Sequence, residues 1–201
     1  MIPMSAQERS RRAQVLAIQE EAVALTLARG FRGFTMDDLA SGTGLSRRTI
    51  FTRVGDKVSA VLGPDESSWD EAVSAGLDAS GAPLDSLVAA TREIAESFPI
   101  DDRVLKINLG MREAITDEPR LAEEAGDRSR RHADALATMI ADQRDWKESD
   151  VRRGLLAALA QAIVEGAIAQ TLTRYAESGK ADLVAEMDAV ATATRQLVEE
   201  G

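Results

Sequence analysis

Residues 30–57 read GFRGFTMDDLASGTGLSRRTIFTRVGDK, and the architecture follows from how this stretch is punctuated. Thr35 can cap a short helix, and Asp38 stands three residues on, where a capping box places its acid. Gly42 and Gly44 bracket the end of that helix. Ser46 can then cap a second one, from about Arg47 to Val54, before Gly55-Asp56 closes it and opens the next. Upstream, about Ala6 to Arg29 forms a longer helix with Val15, Ile18, Ala22 and Leu25 on one face. Gly30 sits where a left-handed C-terminal cap is wanted. Three helices are thus complete by Gly55. The last two are short and joined by a tight glycine turn, which outlines a helix-turn-helix.

The third helix carries the chemistry. Ile50, Phe51 and Val54 are spaced to point inward together, which leaves Arg47, Arg48, Thr49, Thr52 and Arg53 on the outer surface. A short helix with two arginines at its N-terminal end suits the DNA major groove. Arginine pairs bidentately with guanine O6 and N7, and threonine meets a phosphate or a thymine methyl. Helix N-termini also favour phosphate through unpaired amides and the dipole, which makes Thr35, Ser46 and Lys57 phosphate-contact candidates. Each feature has an ordinary counterpart. Thr35, Ser46 and Asp56 are the caps of any helical protein, the arginines can be a solvated face, and Asp37-Asp38 is first-turn stabilisation rather than a carboxylate dyad.

Composition narrows the rest. The chain has 201 residues, 44% of them hydrophobic and only 3% aromatic, so the core is built from Ala, Leu, Val and Ile. It contains no Cys and one His, His132, which excludes disulfides, Cys-ligated metals and any two-His site within one chain. No Glu-x-x-His motif, glycine-rich phosphate loop or nucleophile elbow is present, so no enzyme activity, cofactor or metal is expected. Glu113, Glu165 and His132 are the conceivable acid–base groups of the contrary case. The net charge of −10 is uneven. Residues 1–60 hold nine Lys or Arg against six Asp or Glu, whereas 61–201 hold fifteen against twenty-eight. A basic quarter on an acidic body suggests a local anion-binding surface. No apolar run approaches the length of a spanning helix, and the polar N-terminal stretch lacks a signal-peptide core. The expectation is a cytoplasmic protein with no membrane partner.

The quoted stretch also resembles the DNA-binding part of TetR/AcrR-type bacterial transcriptional regulators. The matches are Gly30-Phe31, Thr35, Leu39-Ala40, Gly44-Leu45-Ser46, Thr49, Phe51 and Lys57, over roughly residues 10–62. The chain departs from that pattern at Arg53 (usually Tyr), Val54 (usually aromatic), Thr43, Thr26 and Gly55-Asp56. The usual Tyr reaches a backbone phosphate, a task Arg53 can perform as a charge unless it reads a base instead. The resemblance implies a small-molecule effector and a dimer for the remainder of the chain.

That remainder reads as helices of about 57–77 (either continuous or interrupted near Gly63-Pro64), 84–98, 102–115, 119–144, 150–178 and 182–199. Gly154, Ala158, Ala162 and Gly166 recur at four-residue spacing and would let another helix approach closely. Leu155, Leu159 and Ile163 flank this ladder on one edge, and Leu156, Val164, Ile168 and Leu172 on the other, which predicts burial over most of the circumference. Leu183, Met187, Val190, Thr194 and Leu197 make a stripe on the last helix. The two stripes either form a homodimer interface or serve the intramolecular core. Candidate effector contacts are Trp69, Phe98, Leu105, Asn108, Leu109, Arg112, His132 and Met139, with Leu77, Met111 and Tyr175 as further bulky groups. Their few polar members favour an apolar or amphipathic ligand. The expectation is thus an all-α protein of about nine helices. Residues 1–56 form a helix-turn-helix domain, and 57–201 an effector-binding and dimerisation domain. The reading is a dimeric repressor released from a palindromic double-stranded DNA operator by a small effector. The alternatives are a protein–protein adaptor with a degenerate helix-turn-helix, or a ligand-independent or activating regulator.

Overall fold

The computed structural model describes residues 5–65, 81–97 and 100–199. Among the described residues the chain is all-helical, with nine α-helices and no strand. They are α1 (Ala6–Arg29), α2 (Met36–Thr43), α3 (Arg47–Val54), α4 (Lys57–Leu62), α5 (Pro83–Ser97), α6 (Asp102–Asp117), α7 (Pro119–Asp142), α8 (Val151–Ser178) and α9 (Leu183–Glu199). A 3-10 turn, Phe31–Gly33, joins α1 to α2. The start of α1 is fixed by a reciprocal box. The Glu8 amide donates to Ser5 Oγ at 3.2 Å, and the Ser5 amide donates to Glu8 Oε2 at 2.6 Å. Gly30 closes α1 at φ +74°, ψ 157°, a positive-φ turn outside the left-handed helical region that the sequence suggested. The helix from Lys57 stops at Leu62. Of its expected course to about Leu77, the part past residue 65 lies outside the described residues.

The chain packs as two compact units. The first holds the described residues of 1–66 together with Asp101–Asp127. Its core is made by Ile18 and Ala22 of α1, Phe31 and Phe34 of the following turn, Leu39 of α2, Ile50 and Val54 of α3, and Val58 and Val61 of α4. Ala114 and Leu121 complete it. Gln19 ties α1 to its neighbours, its amide donating to the Val61 carbonyl at 3.1 Å and lying 3.7 Å from Met111 Sδ. Thr26, where the resembled pattern carries Phe, is buried and spends its hydroxyl on the Ala22 carbonyl at 2.7 Å. α6 approaches α1 so closely at Gly110 that a Cβ there would lie 2.7 Å from Val23 Cγ1. Packing thus carries the first core past residue 56, because Val58, Ala60 and Val61 are buried in it. The division at 56/57 drawn from the sequence is one of function, and it stays a proposal.

The second unit holds the described residues of 67–100 and those of 128–201. Leu87 of α5, Leu136 and Ile140 of α7, Leu156 and Ile163 of α8, and Met187 and Ala191 of α9 form its interior. Arg92 grips both carboxylate oxygens of Asp188 at 2.9 and 3.0 Å, and Arg195 reaches Asp85 at 2.8 Å, so α5 and α9 are also joined at the surface.

Two expectations about α8 are corrected. By length and composition it is apolar enough to cross a membrane, with a stretch of mean hydropathy 1.5. Glu165 is the one charged residue between Gly154 and Thr173, because alanine and glycine fill the positions that polar residues take on most surface helices. Nor is it buried almost all round. Leu156, Ala160, Ile163 and Leu172 face the core, whereas Leu155 is 61% and Ile168 41% exposed. The apolar circumference is wider than the face its own unit covers.

Candidate nucleic-acid interface

Two eight-residue helices, α2 and α3, are joined by Gly44, Leu45 and Ser46. Gly44 has φ +68° and ψ 11°, the left-handed conformation that a residue with a Cβ adopts only at a cost. The turn ends on Ser46, whose hydroxyl accepts the Thr49 amide at 3.1 Å and pairs with the Thr49 hydroxyl at 2.8 Å. Thr35 caps α2 as expected. It accepts the Asp38 amide at 3.2 Å, and its own amide donates to Asp38 Oδ2 at 2.7 Å. The Thr35 hydroxyl also donates to that carboxylate, which holds the Asp38 carboxyl below its ordinary range. Thr35 and Ser46 both engage their hydroxyls at the helix starts, which fixes the geometry of α2 and α3.

The four cations around α3 differ in their surroundings. Arg47 is exposed but paired, 3.3 Å from Asp37, and its guanidinium stands 5.7 Å from the centre of the Phe51 ring. Arg48 is exposed and makes no side-chain ion pair or hydrogen bond among the described residues. Arg53 is half-buried, and its Nε–H donates to Gln14 Oε1 of α1 at 2.8 Å. Lys57 lies over two rings, 3.9 Å from the centre of Phe34 and 4.9 Å from that of Phe31, and donates to the Phe34 carbonyl. Burial lowers its pKa; Asp38 opposes that shift, and Arg120 adds to it. The Arg120 guanidinium itself stands 5.9 Å from the centre of the Phe31 ring. Thr49 is half-buried and Thr52 exposed, the latter donating to the Arg48 carbonyl at 2.8 Å.

One inward assignment on α3 is corrected. Ile50 and Val54, one turn apart, are buried, but Phe51 is 43% exposed. Residue 51 stands about 100° around the helix from Ile50, beyond the width that the core covers on so short an element. Phe51 therefore joins the outer face, stacked under Arg47. Asp37, Gln14 and Phe51 all touch this surface, and none was singled out for it from the sequence. The Phe51 position was legible from a narrower buried stripe. The pairings of Asp37 with Arg47 and of Gln14 with Arg53 span 10 and 39 residues and have no local signature.

Chemically, the outer face of α3 offers guanidinium forks, hydroxyls and one aromatic ring, a set of donors and planes suited to phosphate and base edges. Among the described residues there is no group of three or more His, Asp or Glu placed to hold a metal ion.

The remaining candidates fall in separate places. Trp69 and Phe98, like Leu77, lie outside the described residues. Leu105, Asn108, Leu109 and Arg112 are on α6 in the first unit. Leu105 is buried, the Asn108 amide is turned back on the Val104 carbonyl at 2.8 Å, and Arg112 is exposed. His132 and Met139 are half-buried on α7 in the second unit. Glu165 accepts from Ser129 at 2.6 Å and Gln161 at 2.9 Å. Of the two interface stripes, Gly154, Ala158 and Ala162 are exposed. Gly166 instead meets α9, where a Cβ would lie 3.3 Å from Val190. Leu183, Val190 and Thr194 are half-buried, and Met187 is buried inside its own unit. The second unit also has an open hollow of about 510 Å³ lined by Trp146, Asp150 and Arg152 among others. Two of its charges are paired: Arg152 is 2.6 Å from Asp150, whose carboxyl is held down to about 2 by that hydrogen bond.

Two solved structures resemble the chain over nearly its whole length. A TetR-like transcriptional regulator from Rhodococcus sp. RHA1 is 21% identical with a TM-score of 0.49, covering 98% of this chain and 99% of its own. The TetR family transcriptional regulator PfmR from Thermus thermophilus is 20% identical with a TM-score of 0.45, covering 92% and 97%. No family model matches the chain, and no curated protein does.

Proposed function

We propose that this chain is a dimeric, sequence-specific DNA-binding transcriptional regulator of the cytoplasm. We read it as a repressor that leaves a palindromic operator when a small apolar or amphipathic effector binds. The observation that carries the reading is the outer face of α3. An eight-residue helix capped by Ser46 follows a left-handed glycine turn and presents Arg47, Arg48, Phe51 and Thr52 to solvent. Such a face serves a polyanion with readable base edges, and the motif resemblance over residues 10–62 supports the same use. Arg48 is the base reader, Lys57 and Arg53 are phosphate contacts, and Thr35 and Ser46 set the helix positions. Dimerisation is supported by the exposed apolar face of α8 at Leu155, Ala158, Ala162 and Ile168, since one short recognition helix reads too few base pairs alone. An effector would have to bind the two states of the protein with different affinity to release DNA.

The test is equilibrium binding to mixed-sequence duplex DNA across a salt series. Affinity that falls linearly on a log–log plot with a slope of several phosphates fits the reading. Absence of binding at low salt would move the protein–protein adaptor reading to the front.

A further inference from the structure

We propose that Gln14 is a positioning residue of the DNA interface, holding Arg53 as its fully charged phosphate clamp; this rests on the DNA-binding reading above. Arg53 and Arg47 are both tethered, but by different groups. Asp37 holds Arg47 with a carboxylate, so the pair is close to neutral as a phosphate approaches. Gln14 holds Arg53 with an amide oxygen, which orients the guanidinium and cancels none of its charge. The contact uses Nε–H alone, at 2.8 Å. The four N–H groups on the two terminal nitrogens stay in one plane, and the bond to Gln14 fixes that plane. Both partners are half-buried, on α1 and α3, so the orientation is set before DNA arrives and less side-chain freedom is lost on binding. Gln14 is therefore a neutral latch, and a glutamate in its place would grip as well and abolish the clamp.

The experiment measures duplex affinity against salt for the wild type, Gln14→Glu, Gln14→Leu, Arg53→Ala and the Gln14→Leu/Arg53→Ala double variant, with thermal unfolding of each as the folding control. Arg53→Ala lowers the log–log slope by about 0.9, the share of one phosphate. Gln14→Glu lowers it by a similar amount although both side chains remain able to pair. Gln14→Leu weakens binding about two- to tenfold on every sequence, the range of one hydrogen bond, and has no further effect once Arg53 is gone. A purely structural bond gives the opposite pattern, and either of its signs overturns the proposal: Gln14→Glu with the wild-type slope, or Gln14→Leu and Arg53→Ala effects that add. Loss of salt-dependent binding in the wild type itself would overturn the DNA-binding reading and this inference with it.

Discussion

The outer faces of α3 and α8 invite opposite partners. α3 buries Ile50 and Val54 and turns arginines, threonines and one ring outward. α8 buries Leu156, Ile163 and Leu172 and turns Leu155, Ala158, Ala162 and Ile168 outward. Both helices spend one face on their own core, so what remains outside reflects what each surface meets. A cationic, hydrogen-bonding face is at home in water and gains from a polyanion. A small and apolar face costs free energy in water and gains from a second apolar surface. On the proposed reading, the first face meets nucleic acid and the second meets another copy of the chain.

The largest expected effect comes from charging the apolar face. Ala158→Glu with Ala162→Glu is expected to convert the dimer to monomers in sedimentation. Specific DNA affinity should then fall by about a thousandfold or more, toward the non-specific level. A dimer that survives both glutamates would remove α8 from the interface. Next is the buried side of α3. Ile50→Ala empties a fully buried site and should destabilise the protein by about 2–5 kcal/mol in denaturant unfolding. Arg48→Ala, on the opposite side of the same helix, leaves unfolding unchanged. It should cost about 1–3 kcal/mol of DNA binding and relax preference at one base position per half-site. Lys57→Ala should weaken binding to all sequences alike and lower the salt slope by about 0.9, and a loss confined to one sequence would contradict a phosphate role. The smallest effect is acidification. Asp38 is held below its ordinary range by Thr35, so its cap contributes above that range and is lost as pH falls toward the folded value. The Thr35 amide should then exchange faster with solvent in acid, while α8, capped by Asp150 with a carboxyl near 2, persists to lower pH.

The sequence made α2 and α3 legible because local chemistry writes their ends. Thr35, Gly44 and Ser46 are caps and a turn, each determined by neighbours within a few residues. Most other helix ends followed from breakers in the same way, whereas the helix from Lys57 stops at Leu62, short of its expected course. What stayed hidden depends on distant parts of the chain. Whether Phe51 is inside or outside is settled by how wide a face the first core covers. The tether on Arg53 comes from Gln14, 39 residues away, and no periodicity announces it. On α8 the small-residue ladder was visible, but which side its own unit would bury was not. Gly166 went to α9 while Ala158 and Ala162 stayed exposed. Met187 shows the same limit, since a stripe at helical spacing marks an apolar face without naming what covers it.

The most direct test is selection of binding sites by the purified protein from a random duplex DNA library at a stated salt concentration. The account predicts enrichment of an inverted repeat whose half-site centres lie about 10 base pairs, one helical turn, or a multiple of it apart. A library that stays unenriched at low salt, with the protein folded, would contradict it.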